Sequence, residues 1–375
     1  MGKGIYTKFQ SHTKEFHPVS CAVENEKSIF IVFEKNVTEE GENLRSMVAF
    51  YRSAIDNVWG AEGVEHCYRE KSCILPGTNT PLLVVDWHGK VIATQFSNDY
   101  DQRPEFTIEE TIDIAKNCPI MQLRNIAGKA YVAAHWRTVY RRDGPNEWIC
   151  LRGNDQEEIE ELKKTNRECG FNDIGGFAED DIYACGGDGD VMHFDGKEWR
   201  QLYCPTNEEL LSICCAPDGK VYIGGERGTL IVGRGDQWEV LKSKAPDEIN
   251  DLAWFKGRLY MTCRIYGINE LYEGQIRTTP GTSGMGQAVK PGGRLSEGNR
   301  RALKEAGADE GDIDLVDTLE VPASTVLAPA SAHTLATDGN ILLAAGTDGV
   351  VAFDGKGWQV LFSPFPTEIG GCLEF

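Results

Sequence analysis

The chain has 375 residues, with 38 Lys+Arg against 58 Asp+Glu and a formal charge of −20. A field of that sign repels polyanions, so bulk electrostatic binding to nucleic acid is excluded. At 41% hydrophobic and 9% aromatic residues the chain can fill a core, and it has no 18-residue apolar run or signal core, so a soluble cytoplasmic protein is expected.

Taken in chain order, the sequence alternates turn signals with short apolar runs. Asn25-Glu26-Lys27 leads into Ser28-Ile29-Phe30-Ile31-Val32, with a short insertion expected at 36–43. Trp87-His88-Gly89-Lys90 leads into Val91-Ile92-Ala93. Gly128 precedes Lys129-Ala130-Tyr131-Val132-Ala133-Ala134, which runs on to Asp143-Gly144 and Trp148. Residues 157–164 read as an amphipathic helix inside an insertion at 154–167. Asp180, Gly219 and Gly339 open three further units, which pass through Asp195-Gly196, Gly235-Asp236 and Asp354-Gly355 to Trp199, Trp238 and Trp358. Phe255-Lys256-Gly257-Arg258 opens a fainter one. The span 279–325 is expected to be an insertion, because 279–310 is rich in Gly, Pro and charge and carries one helical stretch, 296–306.

Gly128, Asp180, Gly219 and Gly339 precede their tryptophans by 20, 19, 19 and 19 positions. Each unit is an apolar run, a turn, a β-rich run broken by Gly, a third run ending near Asp-Gly, and a fourth carrying the Trp. This is a four-stranded antiparallel meander, since Gly and Asp-Gly supply the positive φ of tight hairpins. One such sheet cannot bury both of its faces, and radial stacking of copies can. The fold class is therefore all-β, a single β-propeller over residues 1–375. Turns near 26, 89, 128, 180, 219, 257 and 339 count seven blades, and the double-length last step leaves six and eight open. Closure is expected to use strands from both ends, because the run 5–9 and the last blade each need an edge partner.

The Gly-Gly pairs 186–187 and 224–225, each followed by a Trp, resemble kelch repeats of the β-propeller superfamily. The Trp-Asp and Gly-His signatures of WD40 repeats are missing. The resemblance is architectural and implies no activity.

No phosphate loop, HExxH, GxSxG or kinase set occurs, and the seven His show no metal-ligand spacing. Neither catalytic residue, metal nor cofactor is expected. The segment Gly187-Asp188-Gly189-Asp190 through Asp195-Gly196 suggests a calcium loop, but Asp195-Gly196 matches Asp143-Gly144 and Asp354-Gly355, so a hairpin turn accounts for it. The repeated Trp read as blade packing, and the twelve scattered Cys as reduced core thiols.

In a propeller, the turn between second and third strands shares one face with the connection between blades. Those turns supply the candidate partner-binding residues: Trp136, Arg137, Asp188, Asp190, Glu226, Arg227, Arg264, Tyr266 and Asp348. The expected function is non-enzymatic binding of another protein, basic by charge complementarity, with the chain itself a monomer. An inhibitor or immunity-type protein that blocks a toxin or enzyme is its concrete form. Two alternatives stand beside it. One is a hydrolase or lyase acting on a sugar or small molecule in the central channel, with Asp188, Asp190 or Glu226 as acid-base groups; the other is a scaffold or adaptor module.

Overall fold

The computed structural model describes residues 16–25, 28–35, 45–52, 59–65, 67–78, 81–95, 105–109, 111–114, 118–153, 156–164, 170–263, 266–283, 326–327, 332–346 and 349–362. Seven four-stranded antiparallel sheets each pair their strands in sequence order. Their inner strands are Phe16–Asn25, Lys71–Ile74, Ile120–Ile126, Phe171–Ala178, Leu210–Cys215, Ile249–Phe255 and Ala332–Thr337, defining blades 1 to 7. Each inner strand packs against those of the blades before and after it, and the seventh packs against the first. The chain is a single seven-bladed β-propeller. The helix is present at Gln156–Lys164, with Ile159 buried.

The hydrophobic core is divided among the blade interfaces. Seven clusters of buried side chains each join two neighbouring blades, so burial of apolar area holds the ring together. The repeated Trp belong to this packing. Trp199 stacks on Phe194 with centroids 5.2 Å apart, Trp358 stacks on Phe353 at 4.6 Å, and Trp238 meets Tyr183 of the preceding blade edge-on at 6.1 Å. The ten described cysteines carry free thiols.

Blades 7 and 1 meet through apolar packing: Phe33 against Phe362, centroids 5.2 Å apart, with Ile31, Leu343 and Val350 around them. The run 5–9, expected to help close the ring, lies outside the described residues. Two sequence expectations change. The Trp87-His88-Gly89 turn joins the second and third strands of blade 2, Leu82–Val85 and Val91–Gln95, where the sequence reading made it the first turn. Asp86 makes that turn look like the others, because its Oδ1 accepts from the backbone N–H of His88 and of Lys90. In blade 3 the outer hairpin turns at Pro145-Asn146, with Asn146 at φ 61°, while Asp143-Gly144 still belongs to the strand. Asp143 instead pairs with Arg141. Asp195 and Asp354 do serve as turn residues, each accepting two backbone N–H bonds that hold the carboxyl below its usual range.

The expected insertion at 279–325 lies mostly outside the described residues, as do 36–43 and 296–306. Its flanks meet where Thr282 and Ser283 pair in parallel with Val326 and Leu327.

Candidate functional site

A repeated irregularity builds the channel wall. In six blades the pairing of the inner strand skips one residue near its start: Val19, Met121, Asn172, Leu211, Asn250 and His333. The extra residue re-aims the side chains around it toward the next blade. Asn172 and Asn250 donate to the carbonyls of Leu210 and Ala332, at 2.9 and 3.2 Å. The following residue completes the link. Ser20 accepts from the N–H of Ser72, Asp173 from Ile213 and Asp251 from Leu335, at 3.1, 3.0 and 2.7 Å.

Arg124 of blade 3 ties this belt across the ring. Its guanidinium donates to both oxygens of Asp173 in blade 4, at 2.9 and 2.7 Å, and to Asp251 in blade 6 at 2.6 Å. Asp173 is fully buried and Asp251 is 1% exposed. Burial pushes the Asp173 carboxyl up, with Arg124 pulling the other way. The hub spans the channel, and no motif announced it, because its members lie 49 and 127 residues apart.

The candidate face is the end of the ring at which the inner strands begin. In blades 4 and 5 the second-to-third-strand turns are near copies. Asp188 stands at φ 56° and Arg227 at φ 52°, followed by Gly189 and Gly228. Glycine is required at these last positions, because a Cβ on either would come 2.0 Å from the carbonyl oxygen of Thr206 or Ala245. Each turn therefore rests on the connection leading to the next blade. Asp188 and Arg227 are exposed at the tips, with Arg227 3.0 Å from Glu208, and Glu226 is half-buried. In blade 3, Trp136 and Arg137 both adopt positive φ, at 57° and 54°, and Trp136 packs partly into the interface between blades 2 and 3.

Arg137 and Asp190 are turned inward. Arg137 donates to Asp190 at 2.6 Å, and Gln201 donates to the other oxygen, so this pair locks blade 3 to blade 4. Tyr266 is half-buried against the interface of blades 5 and 6. Arg264 and Asp348 lie outside the described residues. The structure thus brings Trp136, Asp188, Glu226 and Arg227 to one face of blades 3 to 5. Sequence reasoning missed Tyr203, which is 77% exposed on the connection between blades 4 and 5. Reading the inter-blade connections with the same rule as the turns would have found it.

Among the described residues, no group of three or more His, Cys, Asp or Glu is placed to hold a metal ion, and no helix is long and apolar enough to cross a membrane.

The class defined by this architecture is the seven-bladed β-propeller, and comparison with solved structures agrees. The WD40 propeller domain of Doa1 superposes with a TM-score of 0.57 at 9% identity, covering 90% of this chain and 92% of that one. Sqt1 of Saccharomyces cerevisiae gives 0.53 at 12% identity, covering 95% and 87%. Identities this low establish the fold alone. No family model matches the chain. A curated protein, the Immune protein Tsi7 of Pseudomonas aeruginosa, is 41% identical over 138 residues, 36% of this chain and 44% of that protein. The chain thus spans less than half the length of the curated relative it matches.

Proposed function

We propose that this chain is a non-enzymatic, cytoplasmic immunity-type propeller that blocks a toxin or enzyme by binding it. The observation carrying this reading is the 41% identity to a protein named for immunity. Charge supports the kind of partner: at −20 the chain steers a basic protein toward itself and accelerates encounter. The binding face is the loop end of blades 3 to 5, where Asp188 and Arg227 stand on turns braced against the next connection and Tyr203 is exposed on the connection between blades 4 and 5. Preorganised tips of this kind lose little entropy on binding.

The test is affinity capture of the tagged chain from its native host at low and at moderate salt, followed by assay of the captured protein. A stoichiometric basic protein whose activity is lost in the complex is the expected result. Capture of nothing at either salt overturns the reading.

A further inference from the structure

Blades 3 to 6 share a tyrosine in the second strand, at Tyr131, Tyr183, Tyr222 and Tyr260, and across from it in the third strand stand Arg141, His193, Val232 and Glu270. Two residues before each tyrosine, on the same face of the strand, come Lys129, Asp181, Lys220 and Arg258. In blades 3 and 4 the charges at this place are matched. Lys129 and Arg141 meet Asp143 and Glu179, and Asp181 meets Arg234. Blade 5 sets the uncharged Val232 opposite its tyrosine.

Blade 6 departs from this. Its fourth strand, Gln275–Thr278, sets Arg277 across from Glu270, so Arg258 and Arg277 reach one carboxylate from either side. Arg258 Nη1 donates to Oε2 at 3.0 Å, and Arg277 Nε and Nη2 donate to Oε1 at 2.9 and 2.7 Å. The two guanidiniums therefore stand one carboxylate apart. Tyr272, two residues after Glu270 on the same face, carries both, with their Cζ atoms 4.9 and 3.7 Å from its ring centroid. Glu270 is buried, whereas Arg258 and Arg277 are exposed. Among the described residues Glu270 is the one carboxylate that pairs with either arginine, so the group keeps a surplus of one positive charge. It also keeps donors: Arg258 gives the carboxylate only Nη1, and Arg277 leaves Nη1 off it.

We propose that Arg258 and Arg277 together bind a phosphate group, either the inorganic ion or a phosphate monoester. A tetrahedral oxyanion presents acceptors to both guanidiniums at once, and its charge meets their surplus; a planar carboxylate fills the fork of one. The buried carboxylate and the tyrosine ring already hold both side chains, so little entropy is lost when the ligand arrives. The site lies on blade 6 and stands apart from the immunity reading, because it needs no protein partner.

The test is an NMR titration of the arginine Nε–H signals of the full chain at constant pH and ionic strength, with inorganic phosphate, glycerol phosphate and acetate in three arms. The expected result is a saturable shift of the Arg258 and Arg277 signals with phosphate or its monoester, the tighter arm telling the free ion from the ester. Arg258→Met weakens the response of the Arg277 signal at least tenfold. That variant leaves Glu270 paired with Arg277, so no buried charge is stranded. Lys220→Met, at the matching place in blade 5, leaves the response unchanged. Absence of a saturable shift in both phosphate arms overturns the proposal. So does acetate binding as tightly as phosphate, or an equal response in Arg258→Met.

Discussion

Removing Arg124 tests whether the ring is held from its centre. Arg124→Ala deletes three charge-assisted hydrogen bonds of 2.9, 2.7 and 2.6 Å and leaves Asp173 and Asp251 buried without a counter-charge. Breaking a buried ion pair from one side costs about 3–5 kcal/mol. A folded domain has only about 5–15 kcal/mol in total, so the variant should unfold at a far lower urea concentration. Adding Asp173→Asn and Asp251→Asn should recover much of the loss. The amide oxygens can still accept from Ile213 and Leu335, and no charge is stranded. A loss below about 1 kcal/mol for Arg124→Ala would refute the reasoning, because surface pairs are worth no more than that. So would a triple variant no more stable than the single one.

Other expectations follow from the same geometry. Glu70 is 1% exposed, accepts from the Ser46 hydroxyl, and is pushed up to about 8 by burial, with Glu34 and Asp86 adding to it. The native state then keeps a proton that the unfolded chain releases above the ordinary 4.5, so stability falls as pH rises from 4.5 to 8, by at most about 1.4 kcal/mol per unit. Melting curves across that range should show the decline, and Glu70→Gln should flatten it; an unchanged slope in that variant would sink the assignment. His333 acts in the opposite sense. Its folded pKa of about 4 lies below the ordinary 6.5, so the unfolded chain takes up the proton first and stability falls as pH drops through that window. His333→Gln should remove that part of the acid limb in the same melts. At the candidate face, Tyr203→Ala and Asp188→Arg should each weaken partner affinity by about 2 kcal/mol, roughly 30-fold, with melting temperature unchanged. Calorimetric titration checks this, and native affinity in both variants would place the partner elsewhere.

The blade count and strand order could be read from the sequence because the turns recur at fixed spacing and local chemistry dictates them. Gly128 at φ 86°, Gly219 at 83° and Gly339 at 90° are positions where a side chain is strained, so glycine there is informative. Blade 2 was misregistered for the same reason. Asp86 and Gly89 make a turn of the right local form in a different place, and only the pairing of Val85 with Val91 fixes which strands it joins. The candidate face was legible in part, since turn tips face outward whatever they carry. Arg137 and Asp190 look like interface residues in one dimension, but 53 residues of separation close into a 2.6 Å contact between blades. The channel hub was invisible, because its three residues come from blades 3, 4 and 6 and share no local motif.

The central claim is that the chain neutralises another protein by binding it. The most direct measurement is a titration of the captured partner's own activity with purified chain, wild type beside the Tyr203→Ala, Asp188→Arg double variant. The account predicts that activity falls to zero at one chain per partner, and that the double variant needs a large excess to do the same. A partner that stays fully active in a saturated complex would contradict it.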